Sequence, residues 1–122
     1  MDERLINLVE EISSLGIIPG VALHNPVKTM KFIIENNLNV KAILVPFNVN
    51  GLYMGNKEEL EKLVDENDQY SFIGMKTLAV GKLSPQKAYE YIKQHNICAV
   101  TIGMVSIEEA KESTQTALNI FQ

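Results

Sequence analysis

GVALHNP, residues Gly20 to Pro26, sets a run of small and aliphatic side chains directly against a histidine, an asparagine and a proline. With Ile17 and Ile18 before it, the apolar part has the length and continuity of a buried strand. Asn25 followed by Pro26 reads as a helix start. Asparagine is a favoured N-cap, and proline at the first helical position gives up an N–H that has no intrahelical acceptor there. The stretch is therefore a strand passing into a helix.

The same device repeats along the chain. Apolar runs occupy Ile17–Leu23, Ala42–Phe47, Ser71–Met75 and Ala99–Met104, each followed by a helix-forming segment after the interval of one βα unit. None alternates cleanly with polar residues, which is the pattern of parallel strands covered on both faces. Ser84 with Pro85 opens a helix expected to run to about His95. Ser106 and Glu109 form a Ser-x-x-Glu capping box, and Asn56 with Glu59 is a weaker version of it. Leu5, Leu8, Val9, Ile12 and Leu15 recur at helical spacing, so an amphipathic helix is expected from Asp2 to Leu15. The reading is a single α/β domain over residues 1–122, α-(βα)4, with parallel strands.

Composition narrows the function classes. The chain has 122 residues, 46% of them hydrophobic and 21% charged, which is enough for one core and too apolar for disorder. No run approaches a membrane span, and MDERLINLVEEI lacks the basic start and apolar middle of a signal peptide, so a cytoplasmic protein with no membrane partner is expected. A net charge of -4 argues against a nucleic-acid surface. The acidic run from Glu58 to Asp68 reads as a solvated helix face. Cys98, the single cysteine, lies within ICAVTI without a disulfide or metal-ligand companion, and is expected to be a buried strand cysteine.

Two arrangements could use four such units. A doubly wound sheet of the flavodoxin or receiver type needs a fifth strand, and a receiver also needs a carboxylate at the strand ends. Here the strands end in Leu23-His24, Phe47-Asn48, Met75-Lys76 and Met104. The alternative is half of a (βα)8 TIM barrel, whose strands follow chain order around the ring. Such a half leaves two unpaired edges and an uncovered inner face, so it calls for a partner: a second copy or a missing N-terminal half-barrel.

GVALHNP, VKAILVPFN, IGMKTLAVGKL and VTIGMVSIEEAKES, in that order and at these separations, resemble strands five to eight of an aldo/keto reductase barrel. The resemblance runs from about Ile12 to Leu118. It implies an NAD(P)-dependent oxidoreductase scaffold with the cofactor lying across the C-terminal rim. The family's Asp-Tyr-Lys-His tetrad belongs to the N-terminal half, so no catalytic residue carries over and the chain alone is expected to lack reductase activity. Departures fall on the cofactor side. Ala22 and Leu23 stand where the family holds the carboxamide with polar groups, and Met75 stands where many members stack an aromatic ring. The basic residues for a 2′-phosphate would fall near Gly103 and Glu109, and a carboxylate repels a phosphate. The cofactor-side candidates that remain are Lys76, Gly81, Lys82, Gly103, Met104 and Ser106, since the loops after the last two strands of such barrels often bind phosphate at a helix N-terminus.

Two other functions compete. One is a non-catalytic module that binds a phosphate-bearing ligand or serves oligomerisation. The other is a Schiff-base aldolase using Lys76, although the strand ends supply no Asp or Glu as its acid-base partner. His24 is read as a rim residue beside the helix start and His95 as structural, near a helix C-terminus. Tyr70, Tyr89 and Tyr91 are read as packing residues. Asn48, Asn50, Gly51, Tyr53 and Gly55 make the longest loop, with the composition of either a turn-rich connection or a ligand contact.

Overall fold

The computed structural model describes residues 3–122. The element order is α1 (Glu3–Ser14), β1 (Gly20–Ala22), α2 (Pro26–Glu35), β2 (Ala42–Pro46), α3 (Lys57–Asp65), β3 (Ser71–Met75), α4 (Pro85–Lys93), β4 (Ala99–Val100) and α5 (Ile107–Phe121). Asp2, the expected first residue of α1, lies outside the described residues. The four strands form one parallel sheet in the order β1-β2-β3-β4. Successive crossovers of one hand in chain order put α2, α3 and α4 on one side of the sheet, unlike a doubly wound fold, and Val9 of α1 joins the same core while α5 packs on α4.

Strand lengths follow from pairing. β3 spans Ser71–Met75 as expected, and β2 stops at Pro46 with the Phe47 N–H still donating to Met75 O at 3.0 Å. The outer strands are shorter than the apolar runs that mark them, because each has a neighbour on one side only. Pro19 accepts from Lys41 N–H at 3.0 Å and Leu23 donates to Leu44 O at 2.9 Å, but Ile17 and Ile18 make no ladder. Past β4, the Thr101 N–H reaches Gly74 O at 2.9 Å and the pairing then ends.

Burial alternates along the strands, which corrects the expectation of two covered faces. Ile43, Val45, Phe47, Phe72 and Gly74 are buried on the helix side. In the intervening register positions Leu44, Ile73 and Met75 are only half-buried, and Ala22 and Ala99 are exposed. The covered face packs on Val9 of α1, Met30 and Ile33 of α2, Leu60 and Val64 of α3, and Ile92 of α4. Each such side chain contributes about 1.5–3 kcal/mol of apolar burial. Gly74 lets this layer close: a Cβ there would stand 3.2 Å from Thr77 Cγ2 and 3.4 Å from Ile97 Cγ2. A second cluster joins Ala88 and Tyr89 of α4 to Ile120 of α5.

Three of the four expected helix starts are capped by side chains. Asn56 Oδ1 accepts from Glu59 N–H at 3.0 Å, Ser84 Oγ from Lys87 N–H at 3.3 Å, and Ser106 Oγ from Glu109 N–H at 3.1 Å. Asn25 is the exception. It holds the N-cap place through its carbonyl, which accepts from Thr29 N–H, while its side chain makes no cap bond. α4 ends at Lys93, short of His95. No helix among the described residues is long and apolar enough to cross a membrane. Cys98 is exposed rather than buried, because the edge beside β4 is uncovered; its Sγ lies 3.2 Å from Phe72 O.

Candidate functional site at the strand ends

The loops that follow β3 and β4 enclose a cleft of about 670 Å³ at the C-terminal rim of the sheet. Lys76, Gly81, Lys82, Gly103 and Met104 all line it. Ser106 stands outside the lining, its hydroxyl engaged in the α5 cap. The sheet gathers these residues because β3 and β4 are adjacent and parallel, so residues 76–82 and 101–105 leave the same rim side by side.

The β3–α4 loop has an unusual backbone. Lys76 has φ 55°, and Ala79, Val80 and Gly81 follow with φ 49°, 58° and 75°, three left-handed residues in succession. The turn is held by Ala79 N–H donating to Lys76 O, Lys82 N–H to Ala79 O and Leu83 N–H to Leu78 O, all at 3.1–3.2 Å. A left-handed conformation costs an L-residue about 1–2 kcal/mol, most for a β-branched side chain such as Val80. Glycine answers this need at Gly81. At Gly103 it answers none, since the φ is ordinary and an added Cβ would meet nothing within 4 Å.

Lys76 Nζ lies 4.3 Å from the centre of the Tyr53 ring. Tyr53 is itself left-handed, with φ 64°, in the loop after β2. Beneath the pair, Asn48 is fully buried and ties the two loops together. Its Nδ2 donates to Leu52 O at 2.8 Å and Lys76 O at 3.3 Å, and its Oδ1 accepts from Leu52 N–H at 2.9 Å. Of the two meanings the loop composition left open, Asn48 takes the structural one.

The opposite wall carries negative charge. Glu109 and Glu112 line the cleft, with Ser113 buried beside them. Glu109 Oε2 accepts from Val105 N–H at 2.8 Å, one residue earlier than in a capping box. The α5 N-terminus is thus occupied by a carboxylate of its own chain, where an anion would otherwise bind. Sequence reasoning missed Glu112 and Ser113 as wall residues. Their signal was present, because positions three and four beyond Glu109 share its helix face.

The other ionisable residues lie elsewhere. His24 is exposed on the rim at the β1 edge. His95 lies beyond α4 and bridges two helices: Nδ1 is 2.8 Å from Asp65 Oδ2 and Nε2 is 3.2 Å from Glu61 Oε2. Tyr91 stacks on Phe47 at 5.4 Å. Burial, reinforced by the Glu61 carboxylate, holds its phenol well above the ordinary value of 10.0. Tyr89 is raised mainly by burial, with nearby Ser113 offsetting part of it. Neither phenol oxygen makes a hydrogen bond of good geometry. Among the described residues no group of three His, Cys, Asp or Glu side chains is placed to hold a metal ion.

Compared with known proteins, the chain matches no family model, no curated protein and no solved structure. Its class rests on the architecture itself: an α/β chain with a four-stranded parallel sheet wound in chain order and five helices.

Proposed function

We propose that this chain is the C-terminal half of a (βα)8 barrel, resembling that half of an aldo/keto reductase, and that its rim cleft holds the anionic part of a phosphate-bearing small molecule such as NAD(P). The observation that carries the reading is the convergence of Lys76, Lys82, Gly81 and Gly103 in one cleft at the ends of adjacent strands. Phosphate sites of βα-barrels commonly lie at the ends of the last strands, and here the two lysines, rather than the α5 N-terminus that Glu109 fills, would hold the anion. Gly103 adds support, because its own turn does not need a glycine while close approach of a ligand does. Glu109 and Glu112 on the facing wall favour a ligand with one anionic group over one carrying a further 2′-phosphate. The chain alone binds without reducing, since the hydride-transfer residues of the resembling family belong to the other half. The Schiff-base alternative is weaker, because the amine would have to leave the Tyr53 ring face and would find no acid-base carboxylate at a strand end.

Calorimetric titration of the chain with NADH, NADPH and inorganic pyrophosphate tests the reading. Saturable binding that weakens at least tenfold in Lys82→Ala, with NADH held more tightly than NADPH, is expected. Absence of binding by all three ligands overturns it.

A further inference from the structure

We infer that a second copy of this chain covers the open sheet face, the two copies closing one eight-stranded barrel with β4 of each beside β1 of the other; the inference rests on the half-barrel reading above.

Exposed apolar side chains are concentrated at the two edges. Of the eleven large hydrophobic residues exposed among the described residues, nine belong to the α1–β1 end or the β4–α5 end of the chain, and the other two are Tyr53 and Val80 on the rim. Leu15, Ile17 and Ile18 stand at one edge; Val105, Ile107 and Phe121 at the other. Between the edges runs the open sheet face, from Ala22 through Leu44 and Ile73 to Ala99. Exposed apolar side chains flanking a half-covered sheet face in this way mark a surface suited to an interface. The area is also of the right size. The chain exposes 7329 Å² at 13.7 kDa, against roughly 6600 Å² for a folded monomer of that mass. The excess is close to the ~800 Å² that each partner contributes to a standard interface.

The register of the sheet suits a second copy as the occupant. Pairing across the sheet takes Ala22 to Leu44, then to Ile73 and to Ala99. An eight-stranded barrel carries a shear of about eight residues, hence about four for each half of a two-fold ring. Displacement by that amount toward the N-terminus sets Ala99 beside Ile18 of the second copy and Gly103 beside Ala22. Displacement the other way would run β4 past the end of β1. The favoured register joins the two segments whose sequence reads as strand but which make no ladder within one chain, 17–18 and 102–104. It also preserves facing, since Ala99 and Ile18 both occupy open-face positions of the strand alternation. The C-terminal rim then gains a residue: His24 of the second copy stands beside Val105, at the mouth of the cleft.

Sedimentation equilibrium across micromolar concentrations should find a dimer of twice 13.7 kDa. Ile18→Asp, at a residue 75% exposed in the single chain, should be monomeric with an unchanged far-UV circular dichroism spectrum. In the closed ring Cys98 lies beside Ile17 of the other copy and far from the other Cys98. Mild oxidation should therefore link Ile17→Cys chains into covalent dimers through the native Cys98 and leave the wild-type chain unlinked. A wild-type monomer at every concentration, a dimer that survives Ile18→Asp, or a Cys98–Cys98 disulfide in wild type each overturns the inference. Ligand titration is read separately: binding by a monomeric chain sinks the dimer and keeps the cleft, while a dimer that binds nothing does the reverse.

Discussion

The Lys76 ammonium sits 4.3 Å above the Tyr53 ring, and both residues hold left-handed backbones in loops that follow different strands. Asn48 fixes the distance between those loops by bonding to Leu52 and Lys76 carbonyls from a fully buried site. An exposed cation–π contact contributes about 0.5–1 kcal/mol, less than two left-handed residues cost. The cation–π contact by itself therefore does not offset the backbone cost, and the Asn48 hydrogen bonds supply the rest. The arrangement holds a positive charge at a set point on the rim.

Tyr53→Ala separates these roles. Since Tyr53 is 51% exposed, thermal unfolding should move by no more than the equivalent of about 1 kcal/mol. NADH affinity should fall severalfold as Lys76 loses its fixed position, and Tyr53→Phe should restore it because the ring face is kept. A Phe variant as weak as the Ala variant would show that the hydroxyl, not the ring, matters.

Val80 offers a test of strain in the same rim. At φ 58° and 68% exposed, it pays the steric cost of the left-handed region without burying its side chain in return. Val80→Gly should raise stability in urea denaturation by about 1 kcal/mol, the steric relief being partly offset by the added freedom of the unfolded chain. Gly81→Ala, at φ 75° in the same turn, should lower it by a similar amount.

The fold was legible because its signals are local. Apolar runs and helix-start residues marked the central strands and α2 to α5, helical spacing marked α1, and β3 coincides with its run residue for residue. The edges were less legible, since an apolar run cannot say which side of it has a neighbour. Ile17, Ile18 and Met104 therefore read as strand although they are unpaired and exposed, and Cys98 read as buried. In the site, the glycines and lysines were visible from their place after a strand. The Tyr53 contact was not, because it depends on two left-handed turns in separate loops, at residues whose side chains give no sign of that conformation.

His95 joins α3 to the end of α4 with both ring nitrogens. Asp65 also accepts from Asn96 N–H at 2.9 Å, while Glu61 is shared with Lys57 at 3.0 Å. The ring lies 5.1 Å from Phe47 and 4.8 Å from Tyr91, so its removal takes packing as well as polar contacts. His95→Ala should destabilise the chain by about 2 kcal/mol. Glu61→Gln should cost less, because Asp65 still holds Nδ1. Equal losses in the two variants would mean that the packing of the ring is irrelevant.

Tyr91 is expected to make stability fall with pH in the alkaline range. Its folded phenol titrates above the ordinary 10.0 because burial and Glu61 disfavour the phenolate. Above pH 10 the unfolded chain loses this proton while the folded chain keeps it, so stability falls as pH rises, by up to about 1.4 kcal/mol per pH unit for one such group. Below that value both states are protonated and the group contributes no pH dependence. Tyr91→Phe removes the phenol and also the buried oxygen that lacks a hydrogen bond. Urea denaturation should find this variant as stable as wild type or slightly more so at neutral pH, and less sensitive to alkali. An alkaline slope identical to wild type would assign the fall to other groups, Tyr89 first among them because burial raises its phenol in the same direction.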